Sequence, residues 1–573
     1  MRFPEITALE WRAQVDKELA GAPFEKVLVH RTPEGLAVQP LYTERPAAEA
    51  VELDALAPPF RLCVRIEGDT RGEVIASELE GGADALWLDR DSARTAVGLV
   101  DPARVDLART FVVVECGAAA PAAVLEELSG AAPAGVSFAL DVDPFGALAR
   151  GRIPSSGSSG LAEARAALGR ALQFAEGRWP DASFATASTL PYHDAGADAA
   201  DEIAIALSTG AAYLEDLMST GLSAAAAARH VLLRVAIGRD TFGEMCKLRA
   251  LRIVWGKVLV ASGAAEAPRA RIHAVCSSRT MAQRDPWVNM LRVTTQVFAA
   301  ILGDADLVTP AAFDGALQPA SALGRRIARN TALVLREESS LGKVKDPAGG
   351  SYYFDSLTDA LAREGWKRFQ AIEKDGGIER ALVSGHLRTR LEASWRGWVD
   401  QLVKRKASVL GVSEFANLDE KLPRPAGRVE PPSPSDFALP VHRDAEPFED
   451  LRLRAEALAA RPEALLVALG PLAESRARVG FASNFFGAGG IRVRETTRDE
   501  AAPLACLCGS DERYAAEAVD RARTLKAAGC RRVLLAGRPG ALEAALREAG
   551  VDGFLYAGCD AVALLSELLE GFA

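Results

Sequence analysis

Three segments in the middle of the chain decide the fold: VSFALDVD (136–143), LAEARAALGRALQFAEG (161–177) and SFATASTL (183–190). The first and the last are short apolar runs with the length of buried strands, whereas the second is an Ala- and Leu-rich stretch with the length of a helix. A strand, a helix and a further strand form the repeating unit of parallel sheets. The segments therefore predict an α/β fold.

The same alternation extends over residues 60–390. Further strand candidates are RLCVRIEG (61–68), DALWLDR (84–90), TFVVVECG (110–117), RIHAVCSS (271–278), DLVTPAAF (306–313) and VKDPAGGSYYF (344–354). Helical stretches separate most of them. About eight strands that alternate with helices predict a (βα)8 barrel of the TIM type, which we assign to residues 43–394.

A second, smaller unit is predicted for residues 451–573. Its strand candidates are EALLVALG (463–470), IRVRETT (491–497), PLACLCGS (503–510), RRVLLAGRP (531–539) and VDGFLYAGC (551–559). These strands are apolar on both faces and most are followed by a helix, as in parallel sheets that are covered on both sides. The pattern predicts a doubly wound, flavodoxin-like domain.

Two segments lie outside these units. Residues 1–42 contain one helix, at about 6–20, and are too short to bury a core of their own, so this arm is expected to pack on the body or on a partner subunit. Residues 395–450 include the Pro-rich run LPRPAGRVEPPSPSDFALP (422–440). Such a composition predicts an extended linker across the surface.

Composition restricts the classes of function. The chain has 573 residues, of which 49% are hydrophobic and 25% are charged, and its formal net charge is −10, which disfavours nucleic acid as a partner. Eight sparse cysteines indicate buried reduced thiols rather than a disulfide framework. The sequence contains neither a signal-peptide pattern nor an apolar run of membrane-spanning length, so a cytoplasmic, membrane-independent protein is expected.

The best candidate for a site is the loop LPYHDAGA (190–197), which follows the fifth predicted strand. In barrels of this type the chemistry lies at the carboxyl ends of the strands. Tyr192 and His193 could bind a polarised carbonyl or donate a proton. The alternative is a loop that caps the next helix, with His193 satisfied by the backbone.

Other candidates are weaker. His273, within the sixth predicted strand, is interpreted as a core residue, and the remaining histidines stand alone, so no metal site is expected. Cys506 and Cys508 are interpreted as buried packing. Five cationic residues could meet an anionic ligand at the barrel mouth, although a solvated helix face explains the arginines equally well: Arg325, Arg326, Arg329, Lys343 and Lys345.

Longer segments resemble one family, the adenosylcobalamin-dependent methylmalonyl-CoA mutases. HRTPEGLAVQPLYT (30–43) is similar to the arm of that family, and residues 192–217 resemble its helix after the fifth strand. Residues 271–314 and 325–362, with RIARNT, REES and VKDPAGGSYY in order, match its most distinctive barrel segments. The resemblance implies a barrel followed by a cobalamin-binding type of domain.

Departures from the family bear on the cofactor. Catalytic members hold cobalt through the histidine of a DxHxxG loop after the first strand of the C-terminal domain. The corresponding loop here is GPLAESRARVG (470–480), in which Gly470 is followed by Ala473, Glu474 and Ser475, and the nearest histidine is His442 in the linker. Because serine and glutamate do not replace imidazole as a neutral nitrogen ligand, no cofactor is expected on this chain.

The barrel departs from the family as well. The arginine- and tyrosine-containing entrance and the run after the fourth strand, which line the acyl-CoA path in the family, are replaced by LAPPFRLCVRIEG (56–68) and DVDPFGALARGRIPSSG (141–157). Tyr192 and His193 match the pair that contacts the thioester in the family and are expected to be vestigial, because substrate clamps that position the reacting centre are missing.

The combination resembles the small, non-catalytic subunit of the heterodimeric bacterial mutase. In that enzyme the large subunit binds adenosylcobalamin and interconverts methylmalonyl-CoA and succinyl-CoA. The resemblance implies that the large subunit is the partner of this chain and holds the cofactor. Two alternatives remain open at this point: an independently active acyl-CoA mutase that uses Tyr192 and His193, and a scaffold or regulatory protein derived from the same fold.

Overall fold

A computed structural model describes residues 6–46, 60–66, 72–88, 105–116, 124–125, 134–153, 158–175, 177–267, 269–317, 319–427 and 437–572. Parts of the predicted arm, of several predicted strands and of the predicted linker (428–436) lie outside these residues. Among the described residues, no helix is both long and apolar enough to cross a membrane.

The N-terminal arm contains two helices and a short hairpin. The elements are α1 (Ala8–Glu18), α2 (Phe24–Val27), β1 (His30–Arg31) and β2 (Ala37–Val38). Helix α1 begins at Thr7, whose side chain forms a capping box with Glu10, a sequence signal for a helix start. None of the residues of α1 is buried, whereas Glu34 in the hairpin accepts hydrogen bonds from Ala199 and Arg368 of the body.

The central unit is a closed barrel of eight parallel strands, in which β10 pairs with both β9 and β3. The strands are β3 (Arg61–Ile66), β4 (Ala85–Leu88), β5 (Phe111–Val114), β6 (Ala139–Val142), β7 (Ser183–Ser188), β8 (Val231–Ile237), β9 (Arg271–Cys276) and β10 (Leu307–Thr309). The predicted barrel is confirmed.

Helices surround the barrel strands. They are α3 (Gly72–Glu80), α4 (Pro144–Ala149), α5 (Ser158–Ala175), α6 (Leu190–Asp194), α7 (Ala199–Met218), α8 (Ala224–Arg229), α9 (Thr241–Ala261), α10 (Val288–Leu302), α11 (Ala322–Leu333), α12 (Tyr352–Lys374), α13 (Gly377–Val383) and α14 (His386–Val403). One apolar cluster, which joins the outward faces of the strands to these helices, forms the main core.

One predicted strand was wrong, and one strand of the barrel was not predicted. Residues 344–354 form turns and the start of α12 rather than an eighth strand, because Pro347 and the adjacent Gly349 and Gly350 prevent a regular ladder. The strand that was not predicted is β8, whose seven residues are all buried. Periodicity does not separate such a run from a buried helix. His273 therefore lies on the seventh strand of the barrel, not on the sixth.

The C-terminal unit is a five-stranded parallel sheet of order β12-β11-β13-β14-β15, which is the flavodoxin-like order. Its strands are β11 (Glu463–Ala468), β12 (Arg492–Thr496), β13 (Leu504–Cys508), β14 (Arg532–Ala536) and β15 (Gly553–Leu555). Its helices are α15 (Glu446–Glu456), α16 (Leu472–Ala488), α17 (Asp511–Ala527), α18 (Glu543–Glu548) and α19 (Ala561–Glu570). The flavodoxin-like fold that was predicted for the second domain is confirmed.

The predicted linker is partly helical. Helix α14 continues to Val403 and helix α15 begins at Glu446, so both enter the segment that was expected to be extended. Between them, the described residues 404–427 and 437–445 form turns and one isolated bridge between Leu410 and Glu414. The division of the chain at residues 42, 394 and 450 stays a prediction.

Candidate functional site

Helix α6 presents the predicted pair at the carboxyl end of β7. The helix starts directly after Thr189 and has Pro191 in its first turn, a position that proline favours. Tyr192 and His193 are both buried. The structure thus places both residues at the end of the barrel where active sites lie, but their side chains are buried.

Both ring nitrogens of His193 are bonded to neighbouring side chains. Its Nδ1 lies 2.9 Å from Oε1 of Glu202 and its Nε2 lies 2.7 Å from Oγ of Ser277. A carboxylate only accepts hydrogen bonds, so Nδ1 donates to Glu202, and in the neutral ring Nε2 accepts from the serine hydroxyl. A backbone partner for the ring of His193 was the alternative considered from the sequence, whereas the structure provides two side chains.

Glu202 is the centre of a buried ionic network. Lys247 Nζ donates to Glu202 Oε1 over 2.8 Å and also pairs with Glu244. Burial alone would raise the pKa of Glu202, but Lys247 and His193 outweigh it and hold this pKa well below its ordinary value. Burial would also lower the pKa of Lys247, which the two carboxylates raise instead. Glu202 and Lys247 are therefore both charged at neutral pH.

Tyr192 makes no hydrogen bond through its hydroxyl to the described residues. Burial, and next to it the negative charge of Asp143, raise the pKa of Tyr192 well above its ordinary value. Asp143 is engaged elsewhere, since it accepts a hydrogen bond of 2.7 Å from Tyr213. Tyr192 is thus a protonated phenol in an enclosed position.

A segment that we call the strap, residues 437–446, covers the loops at this end of the barrel. The backbone N–H of Leu439 donates to Ala149, that of His442 to Asp194, and that of Asp444 to Arg279, over 2.8–2.9 Å. The ring of His442 stacks on Trp395 at 4.4 Å. The loop that carries Tyr192 and His193 is therefore closed over by the connection to the second domain.

The lumen of the barrel is filled by side chains. The ring of Trp87 on β4 lies between two guanidinium groups, 4.4 Å from that of Arg65 and 4.2 Å from that of Arg234. Arg234 on β8 forms an ion pair with Asp141 on β6, on the other side of β7 in the barrel. Only 2% of the surface of Trp87 is exposed, so a ligand along the barrel axis would have to displace this ring.

His273 belongs to the same packing. Its Nδ1 accepts a hydrogen bond from Arg234 Nε over 3.1 Å, and its Nε2 donates to Thr309 over 2.7 Å. Burial, followed by the charges of Arg234 and Arg65, lowers the pKa of His273 well below its ordinary value. The ring is neutral, in agreement with the interpretation of His273 as a core residue.

In the second domain, charged side chains of the chain itself lie at the crevice where doubly wound sheets bind ligands, at the carboxyl ends of β11 and β13. Arg513 pairs with Glu474 over 2.7 Å and lies against Gly470, where an added Cβ would come within 2.5 Å of its Nε. Arg478 donates to the carbonyl of Ala536 over 2.9 Å.

The loop that the family uses to ligate cobalt continues directly into α16, which starts at Leu472. Ala473 and Glu474 lie in its first turn, and Ser475 is buried. Residues 451–573 contain no histidine at all. His442, the nearest histidine in sequence, stacks on Trp395 and lies 3.0 Å from Glu446.

Two of the five cationic residues lie away from the barrel mouth. Arg329 forms a buried ion pair with Glu78 of α3 and so joins two outer helices. Lys345 lies 3.5 Å from Asp304, which precedes β10 and therefore stands at the opposite end of the barrel. Arg329 and Lys345 therefore do not contribute to the anion site considered from the sequence.

The parallel barrel and the 2-1-3-4-5 sheet place the chain among two-domain α/β barrel proteins with a flavodoxin-like second domain. The profile of the family described as methylmalonyl-CoA mutase matches residues 124–433. The methylmalonyl-CoA mutase small subunit of Streptomyces virginiae is 38% identical over 617 positions, which cover 99% of this chain and 97% of that protein. The chain belongs to the methylmalonyl-CoA mutase family.

Two further relatives show how the similarity is distributed. The methylmalonyl-CoA mutase small subunit of Propionibacterium freudenreichii subsp. shermanii is 33% identical over 99% of this chain and 95% of its own length. The methylmalonyl-CoA mutase of Escherichia coli is 32% identical over 40% of this chain and 33% of its own length. The similarity to the small subunits thus extends over both domains.

The family depends on adenosylcobalamin, and the residues present do not fit its cobalt ligand. An imidazole is missing from the whole second domain, and Glu474 and Arg513 pair with each other across the start of the loop. A neutral nitrogen donor to cobalt cannot be supplied by a carboxylate or a guanidinium group.

Glu202, Lys247 and Ser277 were not among the residues predicted from the sequence. Glu202 and Ser277 bond His193, and Lys247 pairs with Glu202. One signal was available, because Glu202 stands at the start of an otherwise apolar helix face and is buried there. Acidic residues are almost never fully buried without a partner, but the partner Lys247 lies on another helix and could not be read from the local pattern.

Proposed function

We propose that this chain is the non-catalytic small subunit of a heterodimeric methylmalonyl-CoA mutase, which isomerises methylmalonyl-CoA to succinyl-CoA in the cytoplasm. Adenosylcobalamin and substrate are bound by the large subunit. Tyr192 and His193 are structural remnants of a substrate site. Residues 43–394 form the barrel domain and residues 451–573 a degenerate cobalamin-binding type of domain.

The observation that carries the proposal is the absence of any histidine from residues 451–573 in a chain that otherwise retains both domains. The packing of the barrel supports it, because Trp87 and Arg234 occupy the axis along which an acyl chain would enter. Binding energy from distant parts of a substrate is needed to position its reacting centre. A filled lumen offers no path for that binding.

Titration of the purified chain with adenosylcobalamin tests this proposal. We expect no micromolar binding and no absorption spectrum of a histidine-ligated, base-off cofactor, whereas the complex with a large subunit should give both. A base-off spectrum from this chain alone would show that it holds cobalt itself and would refute the assignment.

The N-terminal arm supplies a contact to the large subunit in this proposal. Ile6 and Leu9 are 70% and 83% exposed, and α1 buries none of its residues. The arm has internal order nevertheless, since Trp11 contacts Phe24 edge-on at 6.3 Å. Apolar side chains on an ordered but uncovered helix are a common feature of surfaces that bind another protein.

Co-expression with a large subunit tests the partner and the arm together. We expect the full chain to retain the large subunit in equal amount on an affinity column, and a chain without residues 1–22 to retain at least tenfold less. Circular dichroism of the shortened chain provides the control for folding. Equal retention by both chains would exclude the arm as a main contact.

A further inference from the structure

Two neighbouring helices of the barrel, α10 and α11, leave apolar side chains uncovered on their outward sides. Leu291 on α10 is 65% exposed and Leu323 on α11 is 52% exposed. Trp287, which directly precedes α10, and Val334, which directly follows α11, are exposed as well. We call these four side chains, together with Arg326, the α10–α11 face. Several exposed apolar residues on adjacent elements are typical of a surface that binds another protein.

The two halves of the face lie side by side. The helices pack against each other, and each follows a strand of the same parallel barrel, so they run in the same direction. At their start, the ring of Trp287 stacks on Phe313 at 4.6 Å. The next residue, Asp314, accepts a hydrogen bond of 3.1 Å from the backbone N–H of Ser321, which caps α11. Trp287 and Leu323 therefore lie at corresponding ends of the pair of helices.

The two helices carry no acidic residue. Residues 288–302 and 322–333 contain four arginines but neither aspartate nor glutamate, although the whole chain has a net charge of −10. Of these four arginines, only Arg326 is exposed. The cores of protein interfaces are likewise enriched in tryptophan and arginine and depleted of aspartate and glutamate. A surface that complements this face therefore offers apolar side chains and a carboxylate.

Helix α12 shows the composition of a solvated helix in the same barrel. On its exposed side Arg363 pairs with Asp359 and Lys367 pairs with Glu364. Ion pairs three or four residues apart are common on helices that face water. Because α10 and α11 lack the acidic residues for such pairs, exposure to water does not account for their composition.

We propose that the α10–α11 face binds the large subunit of the mutase, through an apolar patch of that subunit with a carboxylate opposite Arg326. The inference rests on the proposed function, because it assigns the part of the barrel by which the small subunit is held in the heterodimer. A second copy of this chain is a poorer match, since a symmetric contact brings the same residues together from both sides. Two copies of Arg326 would then meet without a carboxylate.

Co-expression of single variants with a large subunit tests the assignment. Leu291→Asp and Leu323→Asp each place a charge in the apolar part of the face, so each should lower the retention of the large subunit on an affinity column at least about tenfold. Arg326→Glu should lower it in the same direction, because it opposes the carboxylate of the partner. Arg326→Lys keeps the charge and should lose less than Arg326→Glu.

Val260→Asp is the matched control. Val260 on α9 is 63% exposed but lies outside the face, so this variant should retain the large subunit like the wild-type chain, and circular dichroism checks the fold of every variant. Full retention by both Leu291→Asp and Leu323→Asp would overturn the assignment, and so would an equal loss in Val260→Asp. Absence of retention by the wild-type chain would instead refute the proposed function.

Oxidative footprinting gives a result that does not depend on a variant. Hydroxyl radicals should oxidise the exposed Trp287 readily in the chain alone and at least about fivefold more slowly in the complex, whereas Val260 should react equally in both. Unchanged oxidation of Trp287 in a complex that does form would overturn the assignment.

Two other occupants of the face can be tested with the purified chain. In sedimentation we expect no dimer that depends on Leu291, and in flotation with phosphatidylcholine–phosphatidylserine vesicles we expect no binding that depends on it. A dimer that Leu291→Asp dissociates would assign the face to a second copy of the chain. Vesicle binding that the same variant abolishes would assign it to a membrane surface, and either result would overturn the proposal.

Discussion

Lys247→Met is expected to lower the free energy of unfolding of the barrel by about 3–5 kcal/mol at pH 7.5. The substitution keeps the length of the side chain but removes the cation that pairs with Glu202 and Glu244. Two buried carboxylates are then left without compensation, which is far more costly than the absence of the whole network. Urea unfolding, followed by circular dichroism, measures the loss.

The pH dependence of this loss has a definite sign. Without Lys247 we expect burial to raise the pKa of both carboxylates in the folded chain above that in the unfolded chain. Protonation then stabilises the fold, and this contribution is lost as the pH rises. Burial already raises the pKa of Glu244 in the intact protein, although Lys247 opposes it. We therefore expect the difference between variant and wild type to narrow by at least about 1 kcal/mol between pH 7.5 and pH 5.

Lys257→Met is the control for Lys247→Met, since Lys257 lies on the same helix, α9, but is exposed. A surface ion pair contributes about 1 kcal/mol or less, so this variant should unfold close to the wild type at both pH values. Similar losses for the two variants, or a difference that widens toward pH 5, would contradict the role assigned to the network.

Trp87→Ala is expected to lower the free energy of unfolding by about 3–5 kcal/mol, because it leaves a large cavity in the closed lumen. The ring of Trp87 is also the surface on which the guanidinium groups of Arg65 and Arg234 lie, so both would lose a cation–π contact. The urea midpoint of the barrel gives the size of the effect.

Trp287→Ala is the comparison for Trp87→Ala. Trp287 is 46% exposed and stacks on Phe313 at 4.6 Å. Its removal should therefore lower the free energy of unfolding by only about 1 kcal/mol. If both tryptophan variants lost the same stability, the lumen would not be packed as described and could admit an acyl chain.

The class of fold could be predicted from local patterns because strands and helices of an α/β protein differ in length and in apolar content. The prediction failed where the local pattern was ambiguous. β8 is apolar at six of its seven positions, so it could equally have been part of a helix, whereas 344–354 has aromatic residues typical of a strand but glycines that break one. The number of strands was right, but one predicted segment is not a strand and one strand of the barrel was not predicted.

The position of the candidate site could be predicted from the sequence, but the contacts that enclose it could not. Tyr192 and His193 follow a strand in the sequence, which is sufficient to place them at the carboxyl end of the barrel. Ser277, which bonds His193, is 84 residues away, and Trp87 meets Arg234 across the lumen. Contacts of this range depend on the closure of the barrel, which a local pattern does not contain.

The strap has a consequence for motion. Enzymes with two lobes commonly admit substrate and release product by a hinge movement between them. Here the peptide groups of His442 and Asp444 are bonded to the loops of Asp194 and Arg279, and Trp398 donates to Asp444 over 2.8 Å. A movement of the second lobe that displaced the strap would break these bonds together, so the connection between the lobes is held in place on the barrel loops.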